Sequence, residues 1–253
     1  METGCRRAIL FLLFSPLFGT GFAQTETPVK VDKPLKSYSH WYFGAEYGVP
    51  FLFGDFTSFS ADKTYVGSQF GGFAGYQVNS WIGIEASART GYTRMGAKSY
   101  AGDYLMNADG MTYYTNQDFN TWKYKDVFSK VHFTNIGLQM NLNVNNFFGP
   151  NRGNRRWTVL LSPAVYAQHF STELINKADK SPLSGKKMDK WNIGIGGDVS
   201  LRYKISRAFD VQLRTGIIWV NNNKMDGIST LIKSKDHFMT SAGLSLIWKV
   251  DRK

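Results

Sequence analysis

The sequence predicts an all-β chain that closes into an eight-stranded antiparallel transmembrane β-barrel of the up-and-down type. Three observations predict this fold: alternation of apolar and polar residues in eight segments, connections that alternate between short and long, and an aromatic content of 15%. Beyond the N-terminal region, no run of 18 apolar residues predicts a transmembrane helix. The 253-residue chain is therefore interpreted as one β-domain behind a leader.

The N-terminus has the pattern of a secretory signal peptide. METGCRRAILFLLFSPLFGTGFAQ begins with basic Arg6 and Arg7, continues with an apolar run over 8–18, and places small residues before Gln24. The run is too short to cross a membrane as a helix, so we expect cleavage after Ala23 rather than a retained anchor. The predicted domains are a signal peptide over 1–23, a periplasmic linker over 24–39 and an outer-membrane β-barrel over 40–253.

The cysteine count and the charge narrow the function classes. Cys5 is the only cysteine and lies inside the predicted signal peptide, so the mature chain has no disulfide and no thiol chemistry. The formal net charge of +11 is basic, but the lysines and arginines are dispersed along the chain. Dispersed charge in a secreted chain argues against a nucleic-acid partner.

Alternation is clearest in WNIGIGGDVSLRYKI, residues 191–205. Its odd positions are mostly apolar or aromatic, and its even positions are small, polar or charged, including Asp198 and Arg202. Pro163 weakens the prediction of the fifth strand because proline removes one donor from the hydrogen-bond ladder. The eight predicted strands run over 41–49, 70–78, 82–92, 134–142, 157–167, 191–205, 209–219 and 238–250.

The connections fall into two classes. Only Asn79 and Ser80 follow the second strand, and 206–208 follows the sixth, whereas 97–127 follows the third. Antiparallel strands place alternate connections on opposite sides, which predicts short periplasmic turns and longer extracellular loops. A soluble β-sandwich would bring the apolar faces together, but it does not account for the alternating lengths.

In a barrel the two faces of each strand have opposite surroundings. The apolar faces are expected to contact lipid, with tryptophans at the membrane interfaces: Trp41, Trp191, Trp219 and Trp248. The inner faces carry three acids and three arginines, which are expected to pair: Glu46, Glu85, Arg89, Asp198, Arg202 and Arg214. Eight strands leave an interior just wide enough for side chains, so we expect a charge-plugged lumen, with a narrow gated pore as the alternative.

One candidate for catalysis appears in the sequence. His169 and Ser171 lie two residues apart on an outward face, with Glu173 nearby, and a Ser–His pair can attack an acyl ester. The other histidines are expected to be isolated: His40, His132 and His237. No spacing predicts a metal site, and no cofactor is expected.

Repeated glycine–aromatic phrases occur at GGFAGYQV (71–78), GIEASARTGYTRMG (83–96) and AGLSLIWKV (242–250). With the eight strands and the signal peptide, they make the chain resemble the small outer-membrane β-barrel family, which includes the OmpA barrel domain, OmpX and the PorT-like barrels of Bacteroidetes-type bacteria. The resemblance implies a non-enzymatic integral outer-membrane protein that acts in envelope structure, or as a partner-binding or secretion-accessory component through its loops.

The alternative is an enzyme. The His-x-Ser at 169–171 is similar to that of outer-membrane lipid A deacylases, which implies an acyl hydrolase that modifies lipid A. The continuation here is Ser171-Thr172-Glu173-Leu174, whereas that family typically has Ser-Asn-Ala-Gly.

The expected partners are outer-membrane lipid and lipopolysaccharide. Arg94 and Lys130 at the external rims are expected to meet lipopolysaccharide phosphates through charge attraction. A protein partner is expected to bind the extracellular loops or a basic periplasmic turn that contains Arg152, Arg155 and Arg156.

Overall fold

The computed structural model describes residues 40–98, 105–106, 111–113, 122–146, 155–182, 188–222, 225–230 and 237–250. The predicted signal peptide and linker lie outside the described residues, as does Arg152. No helix among the described residues is long and apolar enough to cross a membrane.

Eight long strands form a closed barrel, which confirms the predicted fold class. Each strand pairs antiparallel with its neighbours along the chain, and the last pairs with the first, with Trp41 opposite Val250 and Phe53 opposite Phe238. The strands are β1 His40–Phe53, β2 Ser68–Gln77, β3 Ile82–Gly96, β4 Val127–Asn143, β5 Trp157–Asn176, β6 Met188–Lys204, β7 Phe209–Val220 and β8 His237–Val250.

The connections alternate in length as predicted. One end of the barrel carries the turns at 78–81 and 205–208, the connection 144–156, the start of β1 and the end of β8; we call it the short-turn end. The other end carries the connections 54–67, 97–126, 177–187 and 221–236; we call it the long-loop end. At this end Ser229–Thr230 pairs with Met111–Tyr113 in a small four-stranded sheet, which joins two of the long connections.

Strand β5 is longer than the predicted range of 157–167, and it continues through Pro163. It spans 20 residues, and Pro163 keeps its place opposite Gly197 of β6. Towards β4, the register is continuous from Asn176 to Ala164 and resumes only at Leu161. Because proline has no N–H group, the ladder is interrupted on this side alone, and the strand continues.

The outer wall is apolar and the inner wall is not. On β6, Ile193 has 75% of its surface exposed, whereas Asp198 on the opposite face has 1%. Two aromatic bands bound this wall. Trp157 and Tyr203 make a tilted contact at the short-turn end with 4.5 Å between ring centroids, and the rings of His169 and Trp191 lie 4.9 Å apart at the long-loop end.

The two bands are separated by the thickness of a membrane. Trp191 and Tyr203 lie twelve residues apart on β6, which corresponds to about 40 Å along a strand at about 3.3 Å per residue. A strand tilt of about 45° reduces the height between them to about 28 Å, close to the hydrocarbon thickness of a bilayer.

The interior has two layers, and the sequence predicted only one. Charged and amide side chains fill the half towards the short-turn end. The half towards the long-loop end is filled by buried apolar side chains, including Val131 and Phe133 of β4 and Phe170 of β5. The prediction of a polar inner face is therefore wrong for this half, where the strands pack around an ordinary apolar core.

Candidate functional site: the charged lumen and its apolar cap

Five of the predicted lumen charges meet inside the barrel. Arg214 of β7 donates from Nη2 to Glu85 Oε1 at 2.8 Å, and its Nη1 lies 3.5 Å from Glu46 and 3.7 Å from Asp198. Arg89 of β3 donates from Nη2 to Asp198 Oδ2 at 3.1 Å, and its Nε lies 3.3 Å from Glu46. Each side chain in this cluster, which we call the lumen network, is at most 3% exposed.

Arg202, the sixth predicted charge, occupies a separate position. It is buried, donates from Nε to Gln212 Oε1 at 2.9 Å, and lies over the ring of Tyr42 with Cζ 5.0 Å from the centroid. Among the described residues, no carboxylate lies within 4.0 Å of its guanidinium nitrogens. The arginine is therefore held by an amide and an aromatic face rather than by a direct ion pair.

Neutral residues complete the network, and their role was not predicted. Tyr42 donates its hydroxyl proton to Glu85 Oε2 at 3.0 Å, and Asn141 donates to the same oxygen at 3.0 Å. Gln139 donates to Glu85 Oε1 at 2.9 Å, and Ser162 donates to Asn141 at 2.6 Å. Because Glu85 accepts from an arginine and three neutral donors, its buried charge is compensated by hydrogen bonds as well as by its cation.

Two glycines make room for the aromatic rings of the network. The Tyr42 ring lies over Gly75 of β2, and the Phe73 ring lies over Gly44 of β1, so that a Cβ on either glycine would overlap the ring. The two rings meet edge to face with centroids 6.4 Å apart. The pair forms the floor of the lumen network at the short-turn end, and its geometry depends on both glycines.

An inward-folded loop closes the long-loop end. Asp226 is fully buried and accepts hydrogen bonds from the backbone N–H groups of Phe56 and Ile228, both at 3.0 Å. Gly227 has φ of 83°, a left-handed conformation that glycine adopts without strain. Phe56, Met225 and Ile228 belong to the apolar core, so the connections 54–67 and 225–230 together cap the barrel.

The sequence predicted an isolated His237, and this prediction is wrong. His237 is fully buried, accepts the N–H of Met225 on Nδ1 at 3.1 Å, and has Nε2 3.5 Å from Asp226 Oδ2. Burial raises the pKa of Asp226 to about 6, although backbone hydrogen bonds from Phe56, Ile228 and Asp55 oppose the shift. The contact was missed because it joins the end of a strand to a loop that has no repeating pattern.

Asp55, Asp226 and His237 place potential ligand atoms within 4.8 Å of one another. Because Nδ1 of His237 accepts a backbone N–H, a neutral ring carries its proton on Nε2, the nitrogen that faces Asp226. A protonated Nε2 donates hydrogen bonds and does not bind metal. The cluster therefore fits a hydrogen-bonded latch between two loops better than a metal site.

The acidic residue beside His169 is not the one that the sequence predicted. His169 Nε2 contacts the carboxylate of Asp189 on β6, and Asp189 lies directly opposite Ser171 in the strand register. The expected acid, Glu173, lies on the same outward face but opposite Lys130 of β4. The sequence did not identify Asp189, because the pairing register between strands cannot be read from residue spacing alone.

The predicted interface tryptophans occupy both ends of the outer wall. Trp41 and Trp248 lie at the short-turn end, where they contact Tyr76 and Phe43 with centroids 5.1 and 6.2 Å apart. Trp191 and Trp219 lie towards the long-loop end and are 60% and 40% exposed. Exposed aromatic rings at both edges of an apolar band are typical of residues at membrane interfaces.

No protein-family model matches the chain. No curated protein matches its sequence either.

Comparison with solved structures finds similar barrels at low identity. Neisserial surface protein A is 13% identical, with 83% of this chain and 97% of that chain covered and a TM-score of 0.43. Ail, the attachment invasion locus protein of Yersinia pestis, is 10% identical, with coverages of 84% and 99% and a TM-score of 0.44. A major outer membrane protein from Thermus thermophilus is 12% identical, with coverages of 83% and 99% and a TM-score of 0.47.

Proposed function

We propose that this protein is a non-enzymatic integral protein of a bacterial outer membrane, with a closed lumen and with its binding surfaces on the long loops. The observation that carries the proposal is the inverted barrel, which exposes apolar side chains outside and buries an ion-pair network inside. Burying charged side chains is costly unless groups of opposite charge are enclosed together, as the three acids and three arginines are here.

The two layers of the lumen support a scaffold rather than a pore. The lumen network fills one half of the interior, and the apolar core with its cap fills the other. A steady aqueous channel would need both layers to move. At the long-loop end, the described segments are joined by a small sheet, in which Ser229–Thr230 pairs with Met111–Thr112, and by the hydrogen bond from Phe56 to Asp226. Loops held by a rigid barrel are a common place for binding surfaces.

A pair of matched substitutions on β4 tests the membrane placement. Leu138 is 55% exposed in the middle of the outer wall, and His132 lies on the same face of the strand near the aromatic band. In vesicles, Leu138→Arg is expected to lower the free energy of unfolding by about 2–4 kcal/mol and His132→Arg by about 0–1 kcal/mol. Urea titration followed by tryptophan fluorescence gives both values, and equal costs at the two depths would contradict the proposal.

A second candidate function rests on the contact between His169 and Asp189. A carboxylate on one ring nitrogen orients a histidine so that the other nitrogen can activate a hydroxyl, and Ser171 lies on the same face of β5. Its position on the outer wall would direct the serine towards an acyl ester of a membrane lipid. Lipid A-modifying acyl hydrolysis is therefore the alternative activity.

Mass spectrometry of lipid A decides between the two functions. Cells that produce the protein are compared with cells that produce Ser171→Ala and with cells that lack it. The non-enzymatic function predicts identical acyl chains in all three. The hydrolase would be established instead if lipid A lost one acyl chain only when Ser171 is present. The extent of that loss should then decrease in Asp189→Asn, which removes the carboxylate beside His169.

A further inference from the structure

A basic cavity of about 310 Å³ lies at the long-loop end. Four of its lining residues are cationic, two are aromatic and none is acidic: Lys63, Arg94, Lys177, Lys180, Tyr65 and Phe128. The volume is at the lower end of the range for small-molecule sites and holds a phosphate group with part of the sugar attached to it. Such a lining selects for anions.

The cavity opens on the outer wall of the barrel and not into the lumen. Arg94 alternates along β3 with Thr93 and Met95, whose side chains are fully buried inside. Phe128 on β4 alternates in the same way with buried Val127 and Ser129, and it lies opposite Gly96 in the register. Arg94 and Phe128 therefore share the face of the sheet that continues into the apolar outer wall.

The height of the cavity matches the headgroup region of a bilayer. Tyr92 lies two positions from Arg94 along β3, towards the barrel centre. Its ring pairs with that of His132 on the outer wall, with centroids 6.1 Å apart. Below them the wall is apolar, with Ile136 and Leu138 half exposed. The cationic side chains thus lie just beyond the aromatic band, where lipid phosphates meet proteins.

The cations converge on one place, and within the part of the chain that the structure describes only Lys177 has a carboxylate partner. Lys177 donates to Asp62 Oδ2 at 2.9 Å. Although partial burial opposes it, the hydrogen bonds from Ser60 and Lys177 hold the pKa of Asp62 below its ordinary value. Among the described residues, no carboxylate lies within 4.0 Å of the charged groups of Lys63, Arg94 or Lys180, which leaves three positive charges at the cavity.

The aromatic floor of the cavity contains a buried donor. Tyr65 is 6% exposed, and its hydroxyl has no hydrogen-bond partner among the described residues. Burial, and then the charge of Asp62, raise the pKa of Tyr65 to about 12, so the hydroxyl stays protonated and can donate. Its ring stacks on Phe128 with centroids 6.1 Å apart, and Lys63 lies 5.0 Å from the Tyr65 centroid. A phosphate oxygen in the cavity would satisfy the hydroxyl.

We propose that this cavity binds a phosphate group of a glycolipid headgroup in the outer leaflet, an inference that rests on the proposed membrane placement of the barrel. Arg94 supplies a planar guanidinium that can bind two phosphate oxygens, and Lys63 and Lys180 supply point charges. Tyr65 supplies a neutral hydrogen bond. The lipid chains would lie along the apolar wall below the Tyr92–His132 pair.

The test measures lipid binding to the purified full chain in micelles by native mass spectrometry. The probes are lipid A with both phosphates, the same lipid A after enzymatic removal of its phosphates, and inorganic phosphate as a competitor. The variants are Arg94→Gln, Lys180→Gln and Tyr65→Phe. Arg207→Gln, which removes an exposed arginine from the turn at the opposite end, is the matched control.

We expect the phosphorylated lipid to bind about tenfold or more tightly than the dephosphorylated lipid, since hydrogen bonds to charged groups are the strong ones. Each of the three variants should lose about five- to tenfold in affinity for the phosphorylated lipid only, and Arg207→Gln should lose none. Equal binding of the two lipids, or unchanged binding by all three variants, would overturn the site.

The remaining outcomes identify the source of the phosphate. Displacement of the lipid by equimolar inorganic phosphate would overturn the assignment to a lipid headgroup and indicate a free anion. Because the measurement uses micelles, it is independent of the Leu138→Arg and His132→Arg comparison. Leu138→Arg and His132→Arg could lower the free energy of unfolding equally while phosphate-dependent lipid binding persists. In that case the proposed membrane placement is wrong and the phosphate site stands.

Discussion

Arg214 on β7 reaches across the barrel interior to Glu85 on β3, with 2.8 Å between Nη2 and Oε1 and with both side chains at most 3% exposed. The same arginine lies within 4.0 Å of Glu46 and Asp198. One guanidinium therefore contacts all three acids of the lumen network, whereas Arg89, the other cation of the network, contacts two of them.

Removal of Arg214 should consequently be more destabilising than removal of a typical ion-pair partner. Arg214→Met leaves three buried carboxylates with Arg89 as the one remaining cation of the lumen network, and we expect a loss of about 3–5 kcal/mol in the free energy of unfolding. Urea titration in vesicles measures the loss. The double variant Arg214→Met, Glu85→Met should recover part of it, because a carboxylate is removed together with its cation; a double variant that is less stable than Arg214→Met would contradict this account.

Alanine substitutions at two glycines of β2 should affect stability differently, because one glycine faces the lumen and the other faces outward. Gly75→Ala would push the Tyr42 ring away from Glu85 and Asn141, and we expect a cost of about 1–3 kcal/mol from the overpacked interior. Gly72 lies three residues earlier on the outward face, where an added Cβ meets nothing closer than the Gly44 carbonyl oxygen at 3.5 Å.

Gly72→Ala is therefore the matched control, and it should be neutral or slightly stabilising. Unfolding in urea measures both variants under identical conditions. Similar losses for the two alanines would mean that the ring contact over Gly75 does not fix the geometry of the network.

The two interior layers make a separate prediction about conductance. The wild-type protein should give no steady current in planar bilayers, because Phe133 and Phe170 seal one half and the lumen network seals the other. We expect Phe133→Ala with Phe170→Ala to stay closed, and Glu85→Ala with Arg214→Ala to stay closed as well. Only the combination of all four substitutions should conduct, provided that circular dichroism shows a folded barrel. Steady currents from the wild type would refute the plugged lumen.

The parts of the fold that the sequence predicted are those set by strand geometry. Side chains alternate between the two faces of a strand, so the segment 191–205 was sufficient to place Asp198 and Arg202 inside. The same rule placed Trp191 and Trp219 on the outer wall. No knowledge of pairing between strands was needed for these predictions.

The parts that were missed depend on pairing and on loops. Asp189 replaces Glu173 as the acid beside His169 because the register of β6 against β5 decides which side chains meet. The apolar half of the lumen was missed because Val131 and Phe133 lie in a stretch where alternation is weak, before the predicted start of that strand at residue 134. The cap was missed because Asp226 lies in a loop, where the sequence has no hydrophobic periodicity from which burial could be predicted.

The cap also predicts how the outer loops respond to pH. An aspartate with a pKa of about 6 in the folded protein and about 4 when unfolded binds more protons in the folded state between these two values. The free energy required to open the cap should therefore decrease by on the order of 3 kcal/mol as the pH rises from about 4 to about 6. It should be constant above a pH of about 7. Hydrogen exchange of the Phe56 and Ile228 amides, which donate to Asp226, reports this free energy once intrinsic exchange rates are corrected.

Asp226→Asn should abolish the pH dependence at these two amides, since the amide side chain does not titrate in this range. Asp179→Asn, which removes an exposed carboxylate from another loop at the same end, should leave it intact. His237→Gln keeps an acceptor for the Met225 N–H and shows whether the histidine contributes. Protection that increases with pH over the same window in the wild type, or that is unaffected by Asp226→Asn, would show that Asp226 is not the group that holds the cap.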